Sequence, residues 1–146
     1  MPLIPFGSFQ EILHKWENLL SVCPADTLYL TPQWQEVWWE TFGDGREMAG
    51  FLIEESEEVM AIASLSRRNG VVSLMGSPET FDYNDFLIRP GYESIFFPEL
   101  LHRLAKTDFG TLQLYSLRES SPTLQHLPDL AKQQGYSVEI SEEGVA

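Results

Sequence analysis

Phe9, Ile12, Leu13, Trp16, Leu19 and Leu20 recur at helical spacing, which places them on one face of a first helix. Ser8 followed by Glu11 makes an S-x-x-E capping box at its start, and Pro24 stops it. A short strand is expected at Leu28, Tyr29 and Leu30. Thr31-Pro32 then supplies an N-cap and a first-turn proline for a second helix, which runs to about Phe42 and closes at Gly43. Trp34, Val37, Trp38 and Phe42 share one face of that helix, and Trp39 points elsewhere.

The pattern then shortens to apolar runs at 48–54, 59–66 and 71–76. The acidic turn Glu55-Ser56-Glu57-Glu58 joins the first two, and Asn69-Gly70, a strong hairpin signal, joins the second to the third. Three strands on such short turns predict an antiparallel meander, with helices on both faces of one central sheet. A loop holding Gly76, Pro78 and Asp82 leads to a strand around Phe86, Leu87 and Ile88. Beyond Pro90-Gly91 a third helix carries Phe97, Leu100, Leu101 and Leu104 on one face. Pro98 leaves its start open, because proline fits best in a first turn. A strand at 111–117 follows, then a fourth helix opened by Ser121-Pro122, which Pro128 should kink or split before Gly135. A last strand is expected at 136–140. The chain shows no repeat, linker or low-complexity tract, so residues 1–146 are read as one α/β domain.

Composition narrows the functional classes. Of 146 residues, 43% are hydrophobic and 21% charged, which is a globular balance. A chain of this length buries roughly 70% of its unfolded surface and needs no metal or disulfide staple. Acidic side chains number 22 against 9 basic ones, a formal charge of −13, and Arg67-Arg68 is the one basic pair. That surface repels phosphate backbones, so nucleic-acid binding and adhesion to anionic membranes are disfavoured. Cys23 is the single cysteine, which excludes an intrachain disulfide, a CxxC pair and a cysteine-based zinc site. The N-terminus lacks the basic start and apolar run of a signal peptide. No stretch reaches the ~18 apolar residues of a membrane span. The expectation is a cytoplasmic protein.

Candidate chemistry is sparse. His14, His102 and His126 fall in three different helices without metal-binding spacing, and Gly76-Ser77-Pro78 lacks the G-x-S-x-G of a nucleophile elbow. The densest polar group is Asp82-Tyr83-Asn84-Asp85. Two carboxylates three positions apart suit substrate orientation or acid–base work. The same residue types also satisfy the backbone of turns. The expectation drawn is that Asp82, Tyr83, Asn84 and Asp85 meet a substrate or a partner domain. Substitution separates the alternatives: substrate-facing carboxylates can be removed with little loss of stability, whereas structural caps cannot.

The order of helices and strands, the extra first helix apart, resembles the GNAT acetyltransferase fold. Leu30-Thr31-Pro32-Gln33-Trp34, Val37-Trp38-Trp39 and Phe42-Gly43 resemble the opening of the CelD-like acetyltransferases, Fem-type proteins built of two GNAT-like halves. Gly76 followed by Asp82-Tyr83-Asn84-Asp85 is similar to that family's glycine and D-Y-x-D segment, and Ser121-Pro122 and Gly135-Tyr136 resemble the end of its first half. The resemblance covers nearly all of this chain but only the first half of the family's length. It implies an acyltransferase acting on an amine or hydroxyl, in cell-envelope or polysaccharide building, with a C-terminal GNAT half as partner and a small-molecule or glycan acceptor.

Two departures qualify that implication. A working GNAT domain cradles the pyrophosphate of acetyl-CoA on backbone amides of an R/Q-x-x-G-x-G/A segment at the third helix. Here Arg89-Pro90-Gly91-Tyr92-Glu93-Ser94 keeps one glycine, loses a donor at Pro90 and adds a carboxylate at Glu93. The general-acid tyrosine expected four residues or so before Gly135-Tyr136 is replaced by Ala131. The resemblance therefore implies a half that supports acyl transfer without binding a cofactor, acetyl-CoA or another acyl donor sitting on the other half. A stand-alone binding domain on a GNAT scaffold and a small self-contained acetyltransferase are the alternatives.

Overall fold

A computed structural model of the chain describes residues 3–23, 28–77, 81 and 83–141. It is a mixed α/β structure with an antiparallel meander and helices on both faces, compatible with the GNAT-like layout. In chain order the elements are β1 (Leu3–Pro5), α1 (Leu13–Leu20), α2 (Pro32–Phe42), β2 (Glu47–Met48), β3 (Phe51–Glu55), β4 (Glu58–Ala63), β5 (Leu65–Arg68), β6 (Val71–Leu74), β7 (Leu87–Ile88), α3 (Glu93–Ala105), β8 (Thr111–Gln113) and α4 (Pro122–Gln133). No helix among the described residues is long and apolar enough to cross a membrane.

The meander pairs as the turns dictate. Both turns carry two consecutive residues at positive φ, Ser56 and Glu57 in the first, Asn69 and Gly70 in the second. That twist matches the flanking strands. The ladders, however, divide into two four-stranded sheets, β1-β3-β4-β7 and β2-β5-β6-β8, where a single sheet was expected. The second meander strand belongs to both sheets: it breaks at Ser64, opposite the break at Ala49 and Gly50. Bonds from Ala49 N to Leu65 O (2.9 Å) and Met75 N to Ser64 O (2.8 Å) carry the pairing across the bend. The buried Ser64 hydroxyl donates to Gln35 Oε1 of α2. Gly50 leaves room for Phe6, whose ring would lie 2.4 Å from a Cβ there.

Side chains alternate across this bent layer. Phe51, Ile53, Ala61, Ala63, Phe86 and Ile88 join the core under α3 and α4. Leu52, Ile62, Met75 and Leu87 join the core under α1 and α2, with Trp16, Trp38 and Phe81.

Several local expectations are corrected. The Ser8 box does not cap a helix: a 3₁₀ turn, Gln10–Ile12, precedes α1, and no side chain caps it. Leu28–Leu30 is also a 3₁₀ turn rather than a strand. Its carbonyls serve other donors: Thr31 Oγ1 to Leu28 O (2.7 Å) and Trp16 Nε1 to Leu30 O (2.9 Å). On α2 the buried positions are Pro32, Gln35 and Trp38, while Val37 and Phe42 face solvent. Gln35 holds a core place because Ser64 needs an acceptor. The 111–117 strand shrinks to β8, and 136–140 joins no ladder among the described residues. Pro98 and Pro128 both lie inside helices. At the first, the carbonyl that Pro98 cannot bond belongs to Ser94, and both residues are exposed, which leaves that carbonyl open to solvent. The strand missed from sequence is β1, an edge strand that tolerates Pro5.

Candidate functional site

β6 pairs with β5 and β7 pairs with β4, both antiparallel. The third meander strand is therefore interrupted, and the chain makes an excursion over 75–86 before resuming. Asn84 closes its neck, donating through Nδ2 to Met75 O (2.9 Å) and through its backbone N–H to Ser116 O (3.1 Å). Ser116, itself at φ 62°, donates its hydroxyl to Phe81 O at 3.0 Å. Phe81 is buried between Tyr29 and Trp34. Gly76, at φ 125°, is required because a Cβ would lie 2.6 Å from the Phe81 ring.

Asp85 leaves this excursion to meet the start of α4. Its Oδ1 accepts from Phe86 N (2.8 Å) and Thr123 Oγ1 (2.6 Å), and its Oδ2 accepts from the Ser121 hydroxyl. Ser121 Oγ in turn accepts from Thr123 N at 3.0 Å, capping α4. Burial pushes the Asp85 carboxyl above its ordinary 3.8, outweighing the lowering by Ser121, Thr123, the Phe86 N–H and Arg118. Asn84 and Asp85 thus spend their polar atoms inside the fold. Tyr83 does not: it is 44% exposed, with the Arg118 guanidinium 4.0 Å from its ring centroid. Asp82 lies outside the described residues. The sequence marked Ser121 as a cap but gave no sign that it and Thr123, 36 and 38 residues from Asp85, bind it.

At the start of α3, the glycine amide of the segment that would cradle a pyrophosphate is engaged internally. Gly91 N donates to Glu93 Oε2 at 2.9 Å. Tyr92 N donates to Arg89 O (3.0 Å), and Ile95 N and Phe96 N both return to Tyr92 O. The Tyr92 hydroxyl donates to Glu55, which raises its pKa, and Arg89 pairs with Glu58 at 3.3 Å. Glu55, Glu58 and Glu93 thus bring three carboxylates to this segment and its neighbours against the one guanidinium of Arg89, a balance that opposes a further anion. Ala131 is buried in the α3–α4 core, and its carbonyl accepts from Tyr136 N at 3.0 Å.

A cleft of about 1290 Å³ runs between β8, α4 and the segment 135–141. Tyr83, Ser116 and Thr123 are among the residues that line it. Among the described residues no group of three or more His, Cys, Asp or Glu is placed to hold a metal. His126 stacks on Phe97, with ring centroids 5.7 Å apart. No family model matches the chain, and no curated protein matches it.

Proposed function

We propose that the chain is a supporting GNAT-like half of an acyltransferase, holding an acceptor or partner while the acyl donor binds elsewhere. The observation that carries this reading is the Glu93 carboxylate on the Gly91 amide. A diphosphate bound at a helix start needs free N–H groups and the positive end of the helix dipole. Here the one glycine amide is taken, Pro90 offers none, and Glu55, Glu58 and Glu93 add negative charge. The acceptor side of the reading rests on the cleft and on Tyr83, which lines it. An amine or hydroxyl acceptor of small-molecule or glycan type is the ligand class this reading assigns to the cleft. A C-terminal GNAT half would supply acetyl-CoA or another acyl donor. The self-contained acetyltransferase is disfavoured by Ala131, which has no proton to give. A binding domain acting alone would use the same cleft and differs only in lacking a donor-binding partner.

Titration calorimetry of acetyl-CoA into the chain tests the reading. The expected result is no saturable heat. A dissociation constant in the micromolar range would overturn it and restore the self-contained enzyme.

A further inference from the structure

We draw no further inference here: the strongest candidate, the surface patch at the end of α2 where the exposed Phe42 ring and the Arg46 guanidinium both pack on Trp38, carries nothing because nothing in the structure shows what covers it.

Discussion

Two helices of this molecule begin beside a carboxylate, and the two carboxylates serve opposite ends. At α3 the carboxylate is local and its bond lies at the surface: Glu93 folds back onto the Gly91 amide two residues earlier. At α4 it is distant and half-buried: Asp85 crosses from the 75–86 excursion to the buried hydroxyls of Ser121 and Thr123. Removal of the first would free one amide at the surface, where water can replace the bond. Removal of the second would strand several donors in the interior, where nothing can. The difference teaches that negative charge at a helix start is not one motif. A near carboxylate neutralises an anion site, whereas a remote one ties two parts of a fold together.

The largest effect should come from Asp85→Ala. Phe86 N–H and the hydroxyls of Ser121 and Thr123 all lose an acceptor, at an expected cost of about 2–3 kcal/mol and a Tm about 5–10 °C lower. Urea denaturation gives the free energy directly. A change of roughly 0.5 kcal/mol or less would break the contrast and return Asp85 to the surface group that its sequence setting allows. Thr123→Val in the same background should couple to Asp85→Ala by about 1 kcal/mol in a double-mutant cycle.

A smaller effect concerns pH. Because burial raises Asp85 above 3.8, the folded state holds the proton longer than the unfolded state. This group's contribution to stability is therefore present below 3.8 and is lost as pH rises through the raised folded value. Asp85→Asn abolishes that dependence. The stability of the native chain relative to the variant should fall as pH climbs from 3.8, measured by denaturation at a series of pH values. A relative stability that rises over that range would show that the hydroxyl bonds outweigh burial.

Much of the scaffold was legible because local signals and tertiary packing agree. Asn69-Gly70 and the 55–58 turn set the meander, and Thr31-Pro32 and Ser121-Pro122 start helices where the structure starts them. The failures lie where a remote partner decides. The bend at Ser64 depends on Gln35, 29 residues earlier. Leu28–Leu30 turns rather than extends because Trp16 and Thr31 claim its carbonyls. The 136–140 segment has strand-like alternation but no neighbour to pair with among the described residues. At the site, the Asp82–Asp85 cluster stood out by composition, and the sequence could also weigh Glu93 against phosphate. That Asn84 and Asp85 face inward while Tyr83 faces out follows from Met75, Ser116, Ser121 and Thr123, which no local pattern links to them.

The smallest effect should come from Glu93→Gln, about 0.3–1 kcal/mol from weaker interaction with the positive end of α3. A loss matching that of Asp85→Ala would erase the distinction between the two helix starts.

The Gly91 amide reports most directly on whether the start of α3 is closed to an acyl donor. Proton–nitrogen NMR would follow its cross-peak as acetyl-CoA is added to the native chain, and compare it with Glu93→Gln without ligand. The expected result is a Gly91 signal that the substitution displaces and that acetyl-CoA leaves in place in the native chain. A native Gly91 signal that moves saturably at micromolar acetyl-CoA, or one indifferent to Glu93→Gln, would contradict it.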